Sequence, residues 1–252
     1  MRLLLDLGNS RLKWALYHDG ESVRSGASSY DENETGVLID RLNTLDLKPD
    51  VCGLVSTGRG GVVTALKRWV DERWSLQLHQ AYTQKKDLDI TNSYENPDNM
   101  GTDRWLAMVA AKQISQQRCA VLDAGTAITL DLLDESGVHI GGWIVPGIEM
   151  MKNMLSLATA RIGLSNKRYS QSLGLGQSTS SCIETGLEAV LQGFISQTQA
   201  VLIKHGINAV FLTGGDAPVF STSITGTPLL KFNNEPELVL KGLNHWLSQH
   251  TC

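Results

Sequence analysis

Three aspartates stand where a carboxylate can do chemistry. Asp6 ends an apolar run in Asp6-Leu7-Gly8-Asn9-Ser10, with Lys13 three residues further on. Asp123 does the same in Asp123-Ala124-Gly125-Thr126-Ala127. Glycine at such a turn lets the backbone come close to a ligand, and its N–H groups can hold the β- and γ-phosphates of a nucleotide. The carboxylates can hold a cation, and Lys13 can add positive charge toward phosphate. The third aspartate lies in Gly101-Thr102-Asp103-Arg104, where a polar stretch meets a helix. A carboxylate there is favoured by the helix dipole and can take a hydroxyl proton during attack on a γ-phosphate. Arg104 can clamp a substrate carboxylate bidentately. Each feature also has a plainer reading: two ordinary hairpins, a solvated lysine, and a helix capped by Thr102 or Asp103.

Two further segments carry glycines beside strands. Gly141-Gly142-Trp143-Ile144-Val145-Pro146-Gly147 permits close backbone approach, and Pro146 stops a central strand. Thr213-Gly214-Gly215-Asp216-Ala217 follows an apolar run and could let an adenosine lie against the backbone. It lacks the GK[ST] ending of a Walker A loop, and it is no GxGxxG. The four cysteines and six histidines show no metal-ligand spacing, and the tryptophans and the methionines at 150, 151 and 154 read as packing.

The elements that must position these residues repeat. Leu3 to Leu16 reads LLLDLGNSRLKWAL and Ala120 to Leu133 reads AVLDAGTAITLDLL: strand, Asp-x-Gly turn, strand, in each half. Further strands are expected at Val51 to Val55, Val138 to Val145 and Ala209 to Thr213. Helices are expected at Val62 to Trp74, Arg104 to Gln117, Ile148 to Ala160, Ser180 to His205 and Glu235 to His250. Alternating strands and helices imply α/β lobes, 1–117 and 118–252, whose hairpins face each other across a cleft. Tyr82 to Met100 is polar, contains Pro97, and reads as a loop long enough to be functional. The hydrophobic fraction of 42% supports a substantial core. A net charge of −4 with scattered basic residues argues against nucleic acid. No apolar run approaches the about twenty residues needed to span a bilayer, so the expected setting is the cytoplasm.

In order, D-x-G-N-S, G-T-D-R, D-x-G-T-A, G-G-x-I-x-P-G and T-G-G-D-A resemble the type III pantothenate kinases across nearly the whole chain. The resemblance implies two ribonuclease H-like lobes of the actin-like ATPase fold, with the active site in the cleft. It implies transfer of the ATP γ-phosphoryl group to pantothenate, giving 4′-phosphopantothenate in the first step toward coenzyme A. On it, Asp103 is the general base, and Gly101, Thr102, Asp103 and Arg104 hold pantothenate with Tyr94 and Thr179. Asp6, Gly8, Asn9, Ser10, Lys13 and Thr126 contact ATP phosphates, and Gly214 and Gly215 lie beside the adenosine. Asp123 binds a monovalent cation, potassium or ammonium, Mg²⁺ travels with ATP, and the protein is a homodimer. Four places depart from the family pattern: Ser10 for Thr, Val55-Ser56-Thr57-Gly58 for Ser-Val-Val-Pro, Met100 for Leu, and Arg161-Ile162 for Leu-Pro. The competing readings are a kinase of this fold for another small anionic hydroxyl substrate, and a catalytically silent regulatory relative.

Overall fold

The computed structural model describes residues 1–31, 35–57, 60–158, 174–223 and 230–251. By contacts the chain forms two units. One comprises Met1–Gln116, Leu133–Ile140 and Glu237–Cys252, the other Gln117–Leu132 and Gly141–Pro236.

The first unit begins with a meander of β1 (Arg2–Leu7), β2 (Arg11–His18) and β3 (Glu21–Ser29). Asp19 and Gly20, both at positive φ, supply the left-handed turn that a two-residue hairpin needs. Then follow α1 (Thr35–Asn43), β4 (Val51–Ser56), α2 (Gly60–Trp74) and β5 (Leu78–Gln80). The sheet order is β3-β2-β1-β4-β5, with β4 parallel to both β1 and β5. Central strand β1 is apolar from Leu3 to Leu5 because both its faces are covered there, and Asp6 stands near its carboxyl end. Leu3, Leu5 and Leu7 face a core shared with Leu38 and Leu42 of α1 and Leu66, Trp69 and Val70 of α2.

Between β5 and α3 (Thr102–Ile114), the polar stretch from Tyr82 to Met100 is more structured than a loop. It contains a hairpin of β6 (Lys86–Asp87) and β7 (Ile90–Thr91), turned by Leu88 and Asp89 at positive φ, and a 3-10 turn at Pro97–Asn99.

In the second unit, β8 (Cys119–Ala124), β9 (Ala127–Leu133) and β10 (His139–Pro146) are followed by α4 (Ile148–Ala158) and α5 (Thr179–Lys204). Next come β11 (Ala209–Thr213), α6 (Ala217–Ser223) and β12 (Lys231–Asn234). The order β10-β9-β8-β11-β12 repeats that of the first sheet, strand for strand. Its core joins Leu122, Leu130 and Leu212 of the sheet to Leu191 and Ile195 of α5. The last helix, α7 (Leu238–His250), follows the second half in sequence yet packs within the first unit. A β-carbon on Gly53 would lie 3.3 Å from both Leu4 and Leu247, so α7 covers the sheet face that α1 and α2 leave.

Strand β3 and helix α1 escape the sequence reading. β3 reads ESVRSGASS and is almost wholly exposed, so backbone pairing holds it without an apolar face. α1 buries only Leu38 and Leu42, too few for a helical period to show. Strands β5 and β12 and the short helix α6 also have no counterpart in the sequence reading. The expected strands and helices lie within a few residues of their expected ends, although positions 159 and 160 of the Ile148-to-Ala160 helix lie outside the described residues. Cys52 and Cys119 are buried free thiols, and burial pushes the Cys52 thiol up to about 12. Cys182 is exposed, and Cys252 lies outside the described residues.

Helix α7 meets α3 backbone to backbone: a β-carbon on Gly242 would overlap the Leu106 carbonyl. Elsewhere in a helix, Gly→Ala stabilises by about 1 kcal/mol. Here Gly242→Ala is expected to destabilise by roughly 1–3 kcal/mol, the cost of overpacking, as read by urea unfolding. A stability gain would show that the two helices lie further apart.

Candidate functional site

In the first unit the β1–β2 turn is closed by the Gly8 N–H donating to the Arg11 carbonyl at 3.1 Å. Asp6 and Lys13 are direct cross-strand partners, so their side chains share a face at the open end of the hairpin. That face is the one carrying Leu4, opposite the core of Leu3, Leu5 and Leu7. Asp6 is 9% exposed, while Asn9 and Ser10 at the turn are exposed. Tyr30 braces the turn from behind. Its hydroxyl donates to the Gly8 carbonyl, and its N–H donates to the Ser10 carbonyl at 3.3 Å.

The Gly101-to-Arg104 segment opens α3. Gly101 is the N-cap residue and has no side chain to cap with. Its requirement is spatial: a β-carbon there would lie 2.6 Å from Asp103 Oδ1, so glycine leaves room for the carboxylate to fold back over the helix start. Asp103 Oδ1 accepts the Arg104 N–H at 2.8 Å. Thr57 links this segment to the first turn. Its N–H donates to the Leu7 carbonyl at 3.1 Å, and its Cγ2 is 3.9 Å from the same β-carbon position over Gly101. Both motifs therefore sit at the carboxyl ends of parallel strands β1 and β4, where open α/β sheets bind ligands. Of the departures from the family pattern in this region, Thr57 is thus in contact with the site, whereas Gly58 lies outside the described residues, as do Arg161 and Ile162.

Arg104, 8% exposed, donates from Nη1 to the Tyr94 hydroxyl at 2.9 Å and lies 5.8 Å from the centre of that ring. Tyr94 is itself positioned by Asn92, a fully buried residue whose Oδ1 accepts the Tyr94 N–H at 2.9 Å. Thr102 meets the hydroxyl of Thr83 at 3.3 Å, and Thr83 in turn donates to the Met100 carbonyl at 3.0 Å.

The second unit assembles three motifs. Asp123 is opposite Thr213 in the parallel pairing of β8 with β11. The Gly125 N–H donates to the Ala127 carbonyl at 3.0 Å, closing the turn and presenting Thr126 to solvent. Gly147 packs directly on the carbonyls of Gly125 and Thr126 and donates its N–H to the latter at 2.9 Å. Gly214, at φ +91°, packs on the Ala124 carbonyl, and a β-carbon on it would lie 2.5 Å from Asp123 Oδ1. The Asp216 N–H donates to the Ala124 carbonyl at 2.9 Å. Gly215 faces open space and is exposed.

Thr179 is the first residue of α5, behind a capping box between Ser178 and Ser181. It lines a cavity of about 930 Å³ with Leu155, Cys182, Ile183, Leu187 and Val190. Among the described residues no hydrogen bond joins its side chain to the Asp123 turn.

The Asp123 carboxylate and the Thr126 hydroxyl at its turn are hard oxygen donors, the type that hard cations take. Among the described residues no group of three or more His, Cys, Asp or Glu side chains is placed to hold a metal. Tyr30 has no signal in the sequence, since its role depends on long-range placement, and Thr57 stands out there only as a departure from the family pattern. The close backbone approach expected of the Gly141-to-Gly147 segment is made by Gly147 on the carbonyls of Gly125 and Thr126.

The type III pantothenate kinase family model matches residues 2–200. A type III pantothenate kinase of Pseudomonas aeruginosa is 33% identical, over 96% of this chain and 97% of its own. One from Nitrosococcus oceani is 34% identical, over 96% and 92%. Among solved structures, a Sinorhizobium meliloti protein assigned as a 2-dehydro-3-deoxygalactonokinase superposes with a TM-score of 0.59 at 13% identity, each chain fully covered. At that identity the likeness speaks to fold alone, that of the actin-like ATPases and sugar kinases.

The two glycines of the β11 turn are expected to behave differently. Gly214→Ala combines a left-handed φ with overlap on a carbonyl and should cost more than about 1 kcal/mol in urea unfolding. Gly215→Ala meets nothing and should leave stability unchanged. Equal stabilities would mean that the turn adopts another conformation.

Proposed function

Because the chain belongs to the type III pantothenate kinase family, and so phosphorylates pantothenate with ATP in coenzyme A biosynthesis, we propose how its residues divide that work. The observation that carries the reading is the start of α3. There a carboxylate is folded back over a glycine, and the next residue's guanidinium is held against a tyrosine.

Asp103 is the general base. It takes the proton of the pantothenate primary hydroxyl as that oxygen forms its bond to the γ-phosphorus and the bond to the β-phosphate oxygen breaks, releasing ADP. Arg104 and Tyr94 hold the substrate carboxylate, with Gly101 and Thr102 beside it and Thr179 as a further contact. The Gly8 turn, with the N–H groups of Asn9 and Ser10, the ammonium of Lys13 and the hydroxyl of Thr126, holds ATP phosphates, while Asp6 stands at the same turn. Such donors, fixed before the reaction, stabilise the charge that builds on the transferring group. Gly214 and Gly215 border the adenosine, and the open space over Gly215 supports that placement.

Asp123, with the neighbouring oxygens, holds a monovalent cation, potassium or ammonium, which supplies positive charge near the phosphates. Mg²⁺ arrives with ATP, held chiefly by phosphate and water, as its coordination habits favour. A homodimer is the proposed assembly. Exposed Met154, Leu155 and Leu157 on α4, Val190 on α5 and Leu175 ahead of α5 support it as apolar surface that a second copy would cover. The cytoplasm is the proposed setting, and no helix among the described residues is long and apolar enough to cross a membrane.

Asp103→Asn keeps the shape and removes the base. Turnover in a coupled ADP-release assay is expected to fall roughly 10²- to 10⁴-fold, with ATP affinity and melting temperature retained. Wild-type turnover in that variant would remove Asp103 from the role. The cation assignment predicts activity in potassium and little in sodium, with the difference lost in Asp123→Ala. Equal rates of the wild-type enzyme in both salts would refute it.

A further inference from the structure

The turn between β9 and β10 is built to rest on the segment that carries Tyr94. Asp134 Oδ1 accepts the N–H groups of Ser136 and Val138, each at 2.8 Å, folding the tip locally. Gly137, at φ +80°, lies against the Asp89 carbonyl, and its own carbonyl accepts the Thr91 N–H at 3.0 Å. From α3 the ammonium of Lys112, buried at 6% exposure, donates to the Glu135 carbonyl at 2.6 Å. Residues 133–140 accordingly group with the first unit.

The first residue of β10 then makes a contact that nothing in the reaction uses directly. His139 is 1% exposed, and its Nδ1 shares a hydrogen bond with Ser93 Oγ at 2.9 Å. Its ring centre lies 6.1 Å from that of Tyr94. Ser93 is flanked on one side by Asn92, buried and bonded to the Tyr94 N–H, and on the other by Tyr94, whose hydroxyl receives Arg104. A buried imidazole with a polar partner costs less than one without, so the pair is stable. Its partner, however, is the residue next to the one that orients Arg104. A histidine serving packing alone needs no such address.

We infer that His139 is a positioning residue for the pantothenate carboxylate. Through Ser93 it fixes residues 92–94 on the β9–β10 turn, and so sets where the Tyr94 hydroxyl meets the Arg104 guanidinium. The inference rests on the reading that Tyr94 and Arg104 hold that carboxylate. His139 itself touches no substrate; it acts through Ser93 and Tyr94.

The test is steady-state kinetics on the full chain with pantothenate and ATP varied separately. His139→Leu and Ser93→Ala should each raise the KM for pantothenate about tenfold, leaving the KM for ATP and kcat within about twofold. Their combination should add little, because both cut the same link. His139→Asn can place an amide atom where Nδ1 stands and should restore most of the affinity. An unchanged pantothenate KM in His139→Leu and Ser93→Ala, with only a lower melting temperature, would reduce His139 to packing and overturn the inference. If His139→Leu does not fold, Ser93→Ala alone decides between these outcomes. Arg104→Gln separates the two readings: an unchanged KM there would refute the placement of the carboxylate itself. A raised KM there, beside normal KM values in the His139 and Ser93 variants, would refute only the positioning role.

Discussion

The site depends on backbone lying closer to backbone, or to a carboxylate, than a methyl group allows. In the second unit the carbonyls at Ala124, Gly125 and Thr126 are covered by the α-carbons of Gly214 and Gly147. In the first, Asp103 Oδ1 occupies the space a side chain on Gly101 would need. At Gly147 and Gly214 packing of this kind has no tolerance, because a β-carbon must displace main chain, whereas at Gly101 it would displace the Asp103 carboxylate. It is what lets short turns stack into a polar surface without long side chains holding them apart. Remove the glycines and the acidic residues remain in the sequence, but the turns that carry them lose their packing.

The two sheets share one strand order, and in each a central strand ends in Asp-x-Gly. Burial of that strand on both faces forces its residues to be apolar until the last positions, where the sheet edge opens and a carboxylate can be carried. The two units therefore share one mechanical arrangement: a rigid strand that delivers an acid to its own carboxyl end. α7 closes one face of the first sheet by packing Leu243 and Leu247 toward Gly53, which has no side chain to hold the helix off.

Around Tyr94 the design is different. A stretch too polar to form a core of its own is organised by buried polar residues, Asn92 and His139, each partnered. Such networks specify one arrangement strongly, since any alternative leaves a buried polar atom unpaired. That suits a segment which holds the Arg104 guanidinium in one orientation.

Much of this protein was legible in its residues alone. The paired Asp-x-Gly turns, the Gly101-to-Arg104 helix start and most strands and helices follow from local rules: strand alternation, helical period, and glycine where a turn demands it. Those rules reach only a few residues along the chain. They could not reveal β3, whose exposed residues carry no period, nor the return of α7 to the first unit, which depends on a face created by other strands. Nor could they show Gly147 and Gly214 meeting the same turn, or His139 meeting Ser93 across 46 residues of sequence. The sequence by itself determined which side chains could do chemistry and which strands would carry them. Only the tertiary structure decided which of them share a place, because contacts between distant segments are set by the shapes of surfaces that exist only once the sheets have formed.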